Sequence, residues 1–284
     1  MIVGHKKWGV GITRFLLGLI FIFSFAARAG IEIPYDEYVV IRDVSLSLDS
    51  QGGFILAIGR APTPFARFLE NLRPNAVATL PVSEFQYALT SFPVISGLYN
   101  EPMPPNKKSI LFEMLRERIP RKEILGTRTV FVMDLTNSWM SLAGVSGYAM
   151  EFFLQENYQA QIEVVPLSSR DPADVRRRGL SLGFKHVTAV KLPASLEAKL
   201  QNNLDYVGLA KHVKNSAALR FNRIPATESS EGYRLLGEEF EKIMSADPVV
   251  ISYRRQHGLI RALDQCQSIF PKTQSHFQFR EPEK

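Results

Sequence analysis

Apolar and polar positions along the chain fall into blocks whose period switches between strand and helix. Residues 54–59, FILAIG, and 129–133, TVFVM, are unbroken apolar runs bounded by turn residues, the pattern of strands buried on both faces. Segments 77–80, 161–167 and 185–191 supply three more strand patterns. Helical spacing fills the intervals. Phe65, Phe68, Leu69 and Leu72 share one face after Pro64, which suits a first helical turn. Ile110, Leu111, Met114 and Leu115 do the same over 109–118, and Leu142, Val145, Ala149, Phe152 and Phe153 over 140–157. A further helix is expected over 173–182, and two amphipathic helices over 231–244 and 248–268. Segment 38–44 fits either a short strand or one face of a helix. Strands alternating with helices at this spacing predict a three-layer α/β fold, a parallel sheet of about five strands with a C-terminal helical extension. Residues 81–108 break the pattern: five prolines and the aromatics Phe85, Tyr87, Phe92 and Tyr99 predict an irregular flap over the C-terminal edge of the sheet.

The first 29 residues change the reading of charge. His5, Lys6, Lys7 and Arg14 precede the apolar stretch 15–26, FLLGLIFIFSFA, and Ala27-Arg28-Ala29 places small residues where a signal peptidase reads. The expectation is a Sec-type signal peptide cleaved after Ala29, with an uncleaved N-terminal anchor as the alternative, and a periplasmic or secreted address. The formal net charge of +6 over 284 residues includes Lys6, Lys7, Arg14 and Arg28 against no acids, so residues 30–284 carry +2. That leaves no electrostatic case for nucleic acid. No second run approaches a membrane span. Cys266 is the single cysteine, so no internal disulfide forms, and its helical setting suits an inert packed thiol. The expected organisation is a signal over 1–29, an α/β domain over 30–228, helices packed on it over 229–270, and a tail over 271–284.

Open α/β sheets bind ligands beyond the C-terminal ends of their strands. Two such ends carry polar turns, Gly59-Arg60-Ala61-Pro62-Thr63-Pro64 and Asp134-Leu135-Thr136-Asn137-Ser138. If their strands are neighbours, Arg60 and Thr63 face Thr136, Asn137 and Ser138. A guanidinium fork, hydroxyls from Thr63, Thr136, Ser138 and Ser141, and backbone N–H groups at a helix start would hold a phosphate. Asp134 could hold ribose hydroxyls or a Mg2+ ion. The same residues have plainer uses: Asp134 and Ser138 can cap the following helix, and Arg60 can pair with a surface acid. The histidines have no zinc-ligand spacing, and no nucleophile elbow, Walker loop or Rossmann fingerprint occurs. Arg176, Arg177 and Arg178, with Arg170 and Lys185, form a basic cluster that either docks an anionic partner or faces solvent.

The stretch 133–142, MDLTNSWMSL, resembles the phosphoribosyl-diphosphate motif of type I phosphoribosyltransferases. Asp134 stands at the second acidic position, Leu135 at the aliphatic one, Asn137 and Ser138 at the hydroxyl pair, and Ser141-Leu142 at the close. The 59–64 turn resembles that family's diphosphate loop, and 81–108 falls where the family often places a hood. The resemblance spans roughly 54–191. It departs at Met133, which replaces the first acid, at Trp139, which replaces a glycine, and at Asn137, which replaces a hydroxyl. It implies binding of a phosphorylated or nucleotide-like ligand, with catalysis weakened or lost. Two other readings remain open: an active transferase or hydrolase in which Asp134 is the catalytic residue, and a protein-interaction module whose site Trp139 fills.

Overall fold

The computed structural model describes residues 33–59, 61–80, 82–83, 85, 87, 102–136, 139–202, 222–223 and 231–259. The segment 1–29 expected to be a signal peptide, Cys266 and the expected tail over 271–284 lie outside them. Helix α1, Tyr35–Ser50, settles the ambiguity at 38–44: Tyr38, Ile41, Ser45 and Leu48 are buried at helical spacing. It ends at Gly52, whose positive φ of 72° lets the chain turn into strand β1, Phe54–Ile58. Every residue of β1 is buried, as its unbroken apolar run requires.

Helix α2, Thr63–Leu72, leads to β2, Val77–Leu80. The two-residue strand β3, Val82–Ser83, follows. Helices α3, Pro105–Arg118, and α4, Lys122–Leu125, precede β4, Thr129–Leu135. Then come α5, Met140–Glu156, β5, Gln161–Ser168, and α6, Pro172–Ser181. The edge strand β6, Val190–Lys191, helix α7, Ala194–Asn202, strand β7, Asn222–Arg223, and helices α8, Glu231–Ala246, and α9, Pro248–Gln256, complete the described chain.

Five strands form one sheet in the order β2-β1-β4-β5-β6, and every pairing in it is parallel. Side chains alternate across it. Val130 and Val132 join one apolar layer with Leu111, Leu115, Leu142, Phe152 and Val175. Phe131 and Met133 join the other with Tyr38, Phe65, Phe68, Leu196 and Phe240. The result is a three-layer α/β fold, with α3, α5 and α6 on one face and α1, α2, α7 and the C-terminal helices on the other. Helix α8 packs on α2 through an edge-to-face pair, Phe68 with Phe240 at 5.6 Å, and Asn71 donates to the Gly237 carbonyl at 2.6 Å. Each such buried ring contributes about 2–3 kcal/mol relative to exposure.

The expected strand at 185–191 is shorter in the structure. It pairs only at Val190 and Lys191, with a bridge at Val187. Phe184 and Val187 are drawn instead into the layer beneath α6. The 81–108 flap is described only in part. There Phe85 and Tyr87 are buried against α5, and a Cβ on Gly144 would lie 2.6 Å from the Phe85 ring.

Candidate functional site

The layer change defines where a ligand can enter. Helix α2, after β1, lies on one face, whereas α5, after β4, lies on the other. Strands β1 and β4 are hydrogen-bonded neighbours, with Ala57 level with Met133. The two loops therefore part in opposite directions from adjacent strand ends. This is a topological switch point, the place where doubly wound sheets open a crevice. The condition placed on the two polar turns by the sequence is met.

Gly59 starts the first loop at φ 67°, and a Cβ there would sit 2.7 Å from the Val82 carbonyl oxygen. Only glycine fits, because the left-handed region and the close approach both penalise a side chain. The same approach sets β3 beside the loop, where it pairs antiparallel with β7. Thr63 is the first residue of α2 and is fully buried, yet its hydroxyl has no hydrogen-bond partner. Pro64 follows in the first turn, so the N-terminus of α2 has neither a side-chain cap nor a full set of N–H groups. Arg60 lies outside the described residues.

On β4, continuing the register with β1 sets Asp134 beside Ile58. The alternation turns its carboxyl toward the α5 layer. Asp134 is 9% exposed, and its one hydrogen bond to a described residue comes from the Leu135 N–H, at 2.8 Å. Burial pushes its pKa up to about 8, against the weaker opposing pull of that N–H. At neutral pH the group is a carboxylic acid, which both donates and accepts hydrogen bonds.

Thr136 is placed differently. Its N–H and its hydroxyl both donate to the Leu167 carbonyl, at 3.1 and 3.3 Å, so it fastens β4 to β5. Asn137 and Ser138 lie outside the described residues. Ser141 is half-buried in the first turn of α5. The structure thus places Thr63 at the start of the helix after β1, Asp134 near the end of the neighbouring β4 and Ser141 on the helix after it, and commits Thr136 to the sheet.

Trp139 stands at the N-cap of α5 with φ 62°, a left-handed conformation that costs a bulky residue about 1–2 kcal/mol. The motif that the stretch resembles has glycine at this position, and the backbone here adopts a conformation that glycine favours. The indole is buried, and it lies against Gly179 and packs in the layer of α6: a Cβ on Gly179 would come within 2.8 Å of it. One side chain at this edge carries no sequence signal. Glu197, from α7, accepts the Ser169 N–H at 2.5 Å and braces the β5–α6 turn. It is remote in sequence, and only the fold brings it there.

Among the described residues no group of three or more His, Cys, Asp or Glu could hold a metal ion. A groove of about 470 Å3 elsewhere, between α1 and the α8–α9 corner, is lined by Tyr38, Arg42 and Asp247 among others. Those three polar groups are bound to one another, which marks a structural joint. Among the described residues no helix is long and apolar enough to cross a membrane. No protein-family model matches the chain, and comparison with curated proteins and with solved structures returned no match.

Proposed function

We propose that the switch-point crevice binds a phosphorylated small molecule that carries neighbouring hydroxyl groups, such as a sugar phosphate or nucleotide. Asp134 carries this reading. Among the described residues Asp134 has a single backbone donor and no cation partner; such a buried carboxyl is costly to keep, and such groups cluster at binding sites. Its neutral form donates to one ligand hydroxyl and accepts from another. It also does not repel a phosphate, as an ionised carboxylate would. Thr63 offers an unspent hydroxyl, and α2 offers the positive end of its dipole. Arg60, Asn137, Ser138 and Ser141 are the remaining phosphate ligands in this reading, which retains the resemblance to type I phosphoribosyltransferases.

Binding with weakened or lost turnover is the version favoured here. The motif lacks its first acid, and burial pushes the pKa of the remaining one up to about 8, which suits hydrogen bonding to ligand hydroxyls. The strained backbone of Trp139 fits a loop shaped for a ligand, and its indole packs against Gly179 of α6.

Thermal-shift titration of the full chain tests this with ribose 5-phosphate, phosphoribosyl diphosphate, nucleoside monophosphates and inorganic phosphate. A ligand at about 100 times its Kd adds about 2.7 kcal/mol of stability. The reading expects a shift for a hydroxyl-bearing phosphate that Asp134→Ala and Thr63→Val each abolish. Shifts that are absent, or equal in all three proteins, would remove it.

A further inference from the structure

Charge is segregated on this protein. Residues 170–191 hold six lysines and arginines against Asp171 and Asp174, a net +4. Residues 30–284 together carry only +2, so everything outside this segment sums to −2. The segment forms one margin of the fold: the β5–α6 turn, helix α6, the following loop and the edge strand β6. Its six cations are all exposed.

Most of them have no carboxylate partner, a state they share with Arg121, Lys122, Arg128 and Arg255 elsewhere on the described surface. Arg42, Arg67, Arg73, Lys108, Arg116, Lys199 and Arg254 each meet a carboxylate. On the margin only Arg177 does so, with Asp174 at 2.8 Å. Arg170, Arg176, Arg178, Lys185 and Lys191 have no ion pair. Helix α6 turns Val175 and Gly179 inward, so its arginines fan across the outward half. Leu180, 46% exposed, lies angularly between Arg176 and Arg177 on that surface.

We infer that this margin docks the protein peripherally on an anionic lipid bilayer, with Leu180 entering the headgroup layer and the surrounding cations meeting lipid phosphates. Unbraced, long, mobile side chains spread over a helix, two turns and an edge strand suit a fluid field of anions better than fixed carboxylates on a protein partner. Phe184 is buried, which leaves His186 as the one exposed ring on the margin that could stack on a nucleic-acid base. A few cations around an exposed apolar residue are enough for reversible surface binding, and no spanning helix is needed.

Vesicle co-sedimentation of the full chain tests this, comparing neutral phosphatidylcholine with vesicles containing about 30% phosphatidylglycerol. Lys6, Lys7, Arg14 and Arg28 beside the apolar N-terminal stretch favour anionic vesicles too, so the variants are read against wild type, which carries the same stretch. Each cation is worth about fivefold in binding, so Arg176→Glu with Arg178→Glu lowers the anionic-to-neutral ratio at least about 25-fold. The thermal midpoint should hold, because both side chains are exposed. Leu180→Ser lowers binding to anionic vesicles without changing its salt dependence. Raising salt toward 1 M abolishes the preference for anionic lipid. An unchanged ratio in the double variant overturns the inference. So does an oligonucleotide that binds more tightly than the vesicles with the same sensitivity to the variant, which would assign the margin to nucleic acid.

Discussion

Asp134 and Asp247 are buried to nearly the same degree, 9% and 8% exposed, and they titrate in opposite directions. Asp247 sits where α8 turns into α9. Tyr38 donates to it at 2.8 Å and Arg42 at 3.0 Å, and the Val249 N–H caps α9 on its other oxygen at 2.8 Å. Burial alone would raise its pKa, but the bonds from Arg42, Tyr38 and Val249 outweigh it and hold the pKa below the usual carboxylate range. Asp134 has one backbone donor, and burial wins. The joint at Asp247 ties α1 to the C-terminal helices and leaves its carboxylate fully occupied. The switch point leaves Asp134, the Thr63 hydroxyl and the backbone of Trp139 in states that stability alone does not favour. Burial does not separate structure from function here; the satisfaction of the buried group does.

The largest effect expected from breaking this contrast is at the joint. Asp247→Ala leaves Arg42 and Tyr38 without their shared acceptor and uncaps α9, so unfolding in urea should show a loss of about 3 kcal/mol at neutral pH. The contribution of Asp247 is present above the unfolded carboxylate pKa and is lost as pH falls through its lowered folded value. The wild type therefore loses stability on the acid side of pH 4 more steeply than the variant.

Trp139→Gly comes next. Removing a buried indole costs about 3–5 kcal/mol, and relief of the left-handed strain returns about 1–2, for a net loss of about 2–3 kcal/mol by chemical denaturation. Trp139→Phe keeps the strain and should be no more stable than the glycine variant by more than the value of its ring. If Trp139→Gly stabilised the fold, the indole would not be the support described here.

Asp134→Asn has the opposite sign. Between about pH 4 and pH 8 the folded wild type holds one proton that the unfolded chain has released. Wild-type stability therefore falls as pH rises across that window, by up to about 1.4 kcal/mol per unit. Asparagine removes this slope, and at pH 8 the variant should be the more stable protein by about 2 kcal/mol. Thr63→Val is the smallest change. It replaces an unpartnered buried hydroxyl with a methyl and should stabilise by about 1 kcal/mol while abolishing the ligand-induced thermal shift. A variant that is both more stable and unable to bind is the signature of a group kept for function.

The sequence made the sheet legible where one element obeyed one period. Residues 54–59 and 129–133 are apolar without interruption, and both became central strands. The run at 140–157 kept helical spacing to its end, despite Gly144 and Gly147. Legibility failed where tertiary pairing decided. Strand β4 runs two residues beyond its apolar core because Asp134 and Leu135 pair with Pro166 and Leu167. That same pairing consumes the Thr136 hydroxyl, which the sequence offered to phosphate. The edge segment 185–191 looked like a full strand, yet Val187 serves the layer under α6. The two turns were readable as a site by their chemistry, and their adjacency was conditional until the strand order was known. Nothing local announced that Asp134 would be denied a cation, because that depends on which layer of helices closes over it.

The most direct test is an NMR titration of the Asp134 side-chain carboxyl from about pH 3 to pH 9, assigned by comparison with Asp134→Asn. Held neutral by burial at the switch point, Asp134 should titrate with a midpoint near 8. A phosphorylated, hydroxyl-bearing ligand should raise that midpoint further. A midpoint near 4 would mean an ionised, satisfied carboxylate like Asp247, and the distinction between the two aspartates, with the site built on it, would be wrong.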